Sequence, residues 1–319
     1  MNTTKERIYN CGIVPVVVLN SVDDAVPTAR ALLAGGITVM EITLRTSAGL
    51  DSIHQVAGNC PEMLVGAGTV LTLDDCKACI EAGARFIVSP GLNEEIVKYC
   101  LEQNILVTPG CVTPTEITRA MSYGLDLLKF FPANIYGGIA ALKALSGPFP
   151  YLKFIPTGGV DQANLAEFIS TPNVLAVGGS WVCTKADIAS HEFEKISHLA
   201  AESKLAILGF ELAHVGINCD DEAQALESAG ELASIFNFPV KDGNSSVYAG
   251  TGFEFMKSQY LGDHGHLSIR TNDIKRAMAY LEARGFALNP EAIKSQNGRV
   301  VAAYLQKQIG GFAIHLQQK

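Results

Sequence analysis

The chain has 319 residues, 48% of them hydrophobic and 18% charged, with a formal net charge of −8. That length exceeds the usual single-core size and predicts two domains, each with its own core. The acidic balance and the lack of a basic run argue against a nucleic-acid surface, and no apolar run is long enough to span a membrane.

The start, Met1-Asn2-Thr3-Thr4-Lys5-Glu6-Arg7, is polar and carries no apolar signal segment. Eight cysteines in apolar or helical settings suit a reducing compartment better than a disulfide framework. A cytoplasmic location is therefore expected. Cys76 and Cys79 have CxxC spacing, but no second Cys/His pair completes a zinc site, and they read as helix residues.

Short apolar runs then alternate with helical patterns. The expected strands are Val14–Leu19, Ile37–Arg45, Leu64–Val70, Phe86–Pro90, Leu106–Val112, Leu127–Ala133, Phe154–Val160 and Val174–Val182. Helical segments are expected at Ser21–Ala34, Gly49–Asn59, Asp74–Ala82, Glu94–Gln103, Thr115–Tyr123, Ile139–Leu145 and Gln162–Ser170, with another at Ile188–Leu199. Several open on a capping residue (Ser21, Asp74, Asn93, Thr113) and close on glycine, as at Gly35, Gly83 and Gly124. Eight strand–helix units in roughly 200 residues predict a compact α/β fold, the (β/α)8 TIM barrel. A doubly wound open sheet is the competitor, but the first strand–helix junction has no GxGxxG fingerprint.

In a barrel the chemistry sits at the C-terminal ends of the strands. On strand two, period two places Glu41, Thr43 and Arg45 on one face, so an acid and a cation face the barrel interior or its mouth. They read as an acid/base beside an anion-binding arginine, or as a structural ion-pair network. Strand three ends Gly66-Ala67-Gly68-Thr69, where small residues leave room and Thr69 offers a hydroxyl. Strand four ends at Ser89-Pro90-Gly91 and strand five at Thr108-Pro109-Gly110; each alone reads as a tight turn.

Strand six, Leu127-Leu128-Lys129-Phe130-Phe131-Pro132-Ala133, holds a lysine in an otherwise apolar run. Burial disfavours an ammonium, and a neutral amine is a nucleophile toward ketones. The alternative is a buried stem whose head reaches water. Strand seven ends Pro156-Thr157-Gly158-Gly159, and strand eight ends Gly178-Gly179-Ser180. Paired glycines let backbone N–H groups approach an anion, and a following helix N-terminus is expected to add its dipole. Two such pairs on the last two strands match the recurrent phosphate site of barrels.

The run Glu41-Ile-Thr-Leu-Arg45-Thr46, Val65-Gly-Ala-Gly-Thr69-Val70, Ser89-Pro90-Gly91-Leu92, Lys129-Phe-Phe-Pro132-Ala133, Pro156-Thr157-Gly-Gly159 and Gly178-Gly179-Ser180-Trp181 resembles the KDPG/KHG aldolases across about residues 5–204. These are class I aldolases of 2-dehydro-3-deoxy-6-phosphogluconate and 4-hydroxy-2-oxoglutarate. The resemblance implies Lys129 as the Schiff-base lysine and Glu41 as the acid/base. It also implies Arg45 and Thr69 on the substrate carboxylate, and Pro90 and Phe131 lining the pocket. Thr157, Gly158, Gly159, Gly179 and Ser180 then form the substrate's phosphate end. No cofactor is implied for this step, the partner is a small phosphorylated 2-oxo sugar acid or pyruvate, and the family is commonly a homotrimer. Asn134-Ile135-Tyr136-Gly137-Gly138 departs somewhat from the family's pattern and bears on the aldehyde side.

The last third changes pattern. His214-Val-Gly-Ile-Asn-Cys-Asp-Asp opens a helix through Glu222–Phe236, and His266-Leu-Ser-Ile-Arg-Thr-Asn-Asp opens another through Ile274–Arg284. Strand-like runs follow at Ser246–Ala249 and Gly252–Lys257 in the first copy, and at Val300–Gln306 and Gly311–Gln317 in the second. The order is βαβββ twice, a smaller α+β domain, with the division expected at residues 1–204 and 205–319. Paired βαβββ modules resemble the vicinal-oxygen-chelate (glyoxalase/bleomycin-resistance) superfamily. That resemblance implies His214, Glu254, His266 and His315 as ligands of a divalent metal; binding an organic ligand and assembly alone are the other roles. The competing overall function is a phosphate-ligand-binding or isomerase barrel fused to a metal-dependent enzyme, for which Lys129 has no use.

Overall fold

The computed structural model describes residues 3–319, so Met1 and Asn2 of the polar leader lie outside it. Short, mostly apolar stretches of three to five residues, buried along all or nearly all of their length, form the strands of the first unit, as parallel strands covered on both faces must. They are β1 (Ile13–Val17), β2 (Val39–Thr43), β3 (Leu64–Gly68), β4 (Phe86–Ser89), β5 (Leu106–Pro109), β6 (Leu127–Phe130), β7 (Lys153–Pro156) and β8 (Val177–Gly179). Six run side by side in the order β5-β4-β3-β2-β1-β8, and β6 pairs with β7. The bridges Gly110↔Lys129 and Thr157↔Gly178 join the two sets, both parallel, and so close the ring of eight. This is the expected TIM barrel.

Among the described residues, ten helices alternate with these strands: α1 (Thr4–Cys11), α2 (Ala25–Ala34), α3 (Gly49–Asn59), α4 (Leu73–Glu81), α5 (Glu94–Glu102), α6 (Pro114–Met121), α7 (Gly138–Leu145), α8 (Leu165–Ser170), α9 (Lys185–Ala189) and α10 (Phe193–Leu208). The polar leader conceals α1, which a Thr3/Glu6 capping box starts. The expected cap at Asp74 is Thr72, whose hydroxyl accepts from Asp75 N, while Ser21 caps a 3₁₀ turn ahead of α2. The single helix expected over 188–199 is α9 and α10, split where His191 takes a left-handed conformation (φ 54). Strands β1, β2, β3, β5, β6, β7 and β8 end two to four residues before their expected limits, and β4 one residue before. The chain leaves the ladder there, with Thr69 at φ 59 and Gly158 at φ 90, and those freed segments form the barrel mouth.

The chain divides into two compact units, Met1–Ile207 and Leu208–Lys319. The second contains β9 (Glu211–Asn218), α11 (Glu222–Phe236), β10 (Val240–Asp242), β11 (Ser246–Ala249) and β12 (Phe253–Met256). It then repeats as β13 (Gly265–Thr271), α12 (Ile274–Glu282), β14 (Leu288–Gln296), β15 (Arg299–Leu305) and β16 (Phe312–Gln318). The order in the sheet is β10-β11-β12-β9-β13-β16-β15-β14, so two βαβββ modules meet at the antiparallel β9–β13 pair. The strands that carried no sequence signal are the edges: β10 is exposed at all its residues, and β14 contains Pro290 and is mostly exposed. Asp221 and Asp273 cap the two helices, as the repeat implied.

Gly110 sits where β5 gives way to the bridge with Lys129. A Cβ there meets the Pro90 carbonyl oxygen at 2.1 Å, backbone that cannot swing aside. Gly110→Ala is expected to destabilise the barrel by about 1–3 kcal/mol, read as a lower unfolding midpoint; an unchanged midpoint shows that the closure tolerates the shift.

Candidate active site

Strand β6 carries Lys129 into the barrel, with only 5% of the residue exposed, and β2 brings in Glu41 at 3%. Lys129 Nζ donates to Glu41 Oε1 at 3.3 Å. Lysine and glutamate reach such burial almost only as a pair, because each ion alone loses its hydration. The seat for the carboxylate is Gly68 on the neighbouring strand, where a Cβ lies 2.0 Å from Glu41 Oε1. The backbone of Lys129 is held as well, its carbonyl accepting from Cys111 N at 3.0 Å. Phe131, half-buried past the strand end, sets its ring centroid 5.2 Å from Lys129 Nζ.

Arg45 lies just past the strand, at the barrel mouth. Strand β2 stops at Thr43, whose hydroxyl is taken by the Val17 carbonyl at 3.2 Å, so Arg45 stands in the following turn and is exposed. There its Nε donates to Thr69 Oγ1 at 3.2 Å, which unites the two residues implied for a carboxylate. Thr69 is one of five described non-glycine residues with a left-handed backbone. Pro90 is exposed after β4, with its carbonyl beside Gly110.

On the other side of the mouth, Gly158 and Gly159 both have positive φ (90 and 80). Side chains rarely adopt this backbone, so glycine is required there. Gly179 is buried and Ser180 exposed. Thr157 is buried, packs against Gly178 and directs its hydroxyl to the Ile155 carbonyl at 3.4 Å. The helix dipole expected at these turns is not there. Helix α8 starts six residues after Gly159, where Asp161 and Asn164 first tie the chain into a turn, and α9 starts five residues after Ser180. Gly68 was legible in the sequence only as space; its part in seating Glu41 required the neighbouring strand.

This geometry matches a known family. The sequence fits the family model for KDPG and KHG aldolase over residues 4–199. The chain belongs to that family. A 2-dehydro-3-deoxy-phosphogluconate aldolase of Treponema pallidum (strain Nichols) is 43% identical over 66% of this chain and 99% of its own length. The KHG/KDPG aldolase of Escherichia coli K12 is 43% identical over 63% of this chain and 95% of its own. A crystal structure of the KDPG aldolase of Legionella pneumophila, with pyruvate captured as a covalent carbinolamine intermediate, superposes with a TM-score of 0.60. That match has 38% identity and covers 62% of this chain and 96% of the other. The protein is thus a lyase of the aldolase class, and class I aldol chemistry requires no cofactor.

A second polar cluster occupies the other unit. Alternation along its sheet turns Val247, Ala249 and Phe255 toward α11, and Leu288, Ala303 and Leu316 toward α12. The opposite face carries His214, Glu254, His266 and His315, the four residues implied as ligands. His214 Nε2 lies 3.0 Å and His266 Nε2 3.2 Å from Glu254 Oε2. The three imidazoles place one nitrogen each within 4.8 Å of one another. Gly216 makes this fit, since a Cβ there strikes the His266 ring at 2.1 Å. Burial works against the charge of Glu254, but hydrogen bonds from His214, His266, Ser246 and Tyr248 outweigh it and hold the carboxyl well below its usual range. Burial, then the charge of His266, brings His315 down to about 4. Its Nδ1–H donates to the Leu316 carbonyl at 3.3 Å, and its buried Nε2 has no partner.

Gly68→Ala tests the seat of Glu41. The added methyl overlaps Oε1, and the carboxylate is expected to leave Lys129, lowering aldol turnover by roughly 10²–10⁴-fold, the span for a lost acid/base. Turnover near wild type, with the fold intact by circular dichroism, shows that the seat is dispensable.

Proposed function

We propose that the first unit cleaves 2-dehydro-3-deoxy-6-phosphogluconate to pyruvate and glyceraldehyde 3-phosphate, and 4-hydroxy-2-oxoglutarate to pyruvate and glyoxylate, through an imine on Lys129. The observation that carries this reading is the pair of Lys129 Nζ and Glu41 Oε1, 3.3 Å apart and both withdrawn from water. The Lys129 amine in its neutral form adds to the C2 ketone, giving a carbinolamine that loses water to a cationic imine. Glu41 takes the proton of the C4 hydroxyl. The C3–C4 bond breaks, its electron pair passes to the imine as an enamine, and the aldehyde leaves. Glu41 then returns a proton to C3, and water releases pyruvate from the regenerated amine.

Arg45 and Thr69 hold the carboxylate of the 2-oxo acid as a coupled pair, and Pro90 and Phe131 wall the reacting carbons. Thr157, Gly158, Gly159, Gly179 and Ser180 make the phosphate end. The division of labour follows the chain: an aldolase domain over about residues 1–204 and a vicinal-oxygen-chelate-like domain over 205–319. Assembly as a homo-oligomer, a trimer in the first instance, and a cytoplasmic location complete the reading. Borohydride in the presence of pyruvate is expected to leave an adduct on Lys129 in the wild type and in Glu41→Gln, with the latter losing turnover by roughly 10²–10⁴-fold. An adduct on Lys143 or Lys153, or an active Lys129→Ala variant, sinks the assignment.

A second reading concerns the second unit, and the orphaned His315 Nε2 favours it. A lone pair freed toward two other imidazoles and a depressed carboxyl suits a divalent ion such as zinc, nickel, manganese or iron. His214, Glu254, His266 and His315 hold the ion, which supplies Lewis acidity toward an oxygen-bearing ligand. Full-length protein without a histidine tag is expected to retain about one such ion per chain, and His214→Ala/His266→Ala to retain none. Chelation is expected to spare aldol turnover. Wild-type protein that stays metal-free after incubation with these ions overturns this reading and leaves the first untouched.

A further inference from the structure

Behind the Gly178–Gly179–Ser180 turn lies a side-chain network for which the mechanism above has no use. Gly179 lacks a side chain where Trp181 places its ring: a Cβ on Gly179 lies 2.1 Å from Cζ3 and 2.3 Å from Cε3. The indole therefore backs directly onto the turn. Its Nε1–H donates to Ser203 Oγ at 3.0 Å and to Gln162 Oε1 at 3.3 Å, and the Ser203 hydroxyl donates to the same Gln162 oxygen at 2.6 Å. Ser203 is wholly buried on α10. Gln162 belongs to the segment that follows Gly158 and Gly159. One three-way hydrogen-bonded knot thus ties the glycine turn of β8 to the glycine turn of β7 and to a rigid helix.

We propose that Trp181, fixed by Ser203 and Gln162, is a positioning residue that sets the two glycine turns at the spacing needed to bind a phosphate. The proposal rests on the phosphate end assigned above. Backbone N–H groups bind an anion only when their directions converge, and glycine turns do not hold a direction by themselves. A large ring locked at both ends supplies that constraint. An oxo acid without a phosphate does not draw on it, so the network separates the two substrate classes.

Trp181 is the sole tryptophan of the chain, so its emission reports on this turn alone. In wild-type protein, inorganic phosphate is expected to change that emission saturably. Ser203→Ala, which touches no substrate, is expected to raise the half-saturating phosphate concentration and KM for the phosphorylated substrate about tenfold, the loss of roughly one well-directed hydrogen bond to a charged group. Its kcat, and both constants for 4-hydroxy-2-oxoglutarate, should stay at wild-type values. Ser203→Thr restores the hydroxyl and should recover most of the loss, and Trp181→Phe should reproduce Ser203→Ala in KM. Equal losses on both substrates, or no change in either, overturn the proposal and leave Trp181 as packing. Wild-type emission that ignores phosphate, in protein that still turns over 4-hydroxy-2-oxoglutarate, overturns it by removing the phosphate end. Protein inactive on both substrates refutes the aldolase reading, while the phosphate titration still decides this one.

Discussion

The barrel is built around an ion pair kept out of water. Real proteins lose several kcal/mol in desolvating each ion of such a pair, recovered only when the partners meet in good geometry. Lys129 and Glu41 meet that condition across the interior from strands 88 residues apart in sequence. Much of the local structure reads as its support: glycine at position 68 to seat the carboxylate, the bridge at Gly110 to hold the lysine backbone, and the Phe131 ring beside Lys129 Nζ. Either residue alone is a buried charge in search of compensation. Together they form a nucleophile and a proton carrier at hydrogen-bonding distance.

Around that centre the mouth divides into two halves of different character. On one side Arg45 and Thr69, released from their strands, form a side-chain pair that suits a carboxylate. On the other, Gly158, Gly159 and Gly179 occupy places where side chains do not fit. A planar guanidinium discriminates carboxylate geometry, whereas converging backbone dipoles accept a multivalent oxyanion.

The second unit gathers its residues by another device. Its two modules meet at β9 and β13 in a register that pairs His214 with Ser268 and His266 with Gly216. The same register sets Glu254 beside Gly216 and His315 beside Ser268. Equivalent positions of the two copies therefore fall at the centre of one sheet face. Where the second copy has Ser268 the first has Gly216, and that difference gives the His266 ring its room.

The sequence by itself determined which segments lie inside and what they carry. Alternating apolar runs and helical periods specify eight strand–helix units, and Lys129 is conspicuous because it interrupts the apolar run from Leu127 to Ala133. The repeat around His214 and His266 was equally legible, since each copy repeats a strand and an Asp-capped helix. Edge strands β10 and β14 were not, because exposed strands lack the alternation that burial imposes. The end of β2 was overextended for a related reason: period two extrapolates a strand to Arg45, whereas the strand ends at Thr43 and Arg45 stands in the turn at the mouth. Only the tertiary structure decided that Gly68 seats Glu41, that Gly216 admits His266, and that Trp181, Gln162 and Ser203 form one knot. Each of these depends on a distance between chain segments remote in sequence, which local periodicity does not encode and ring closure or strand register does.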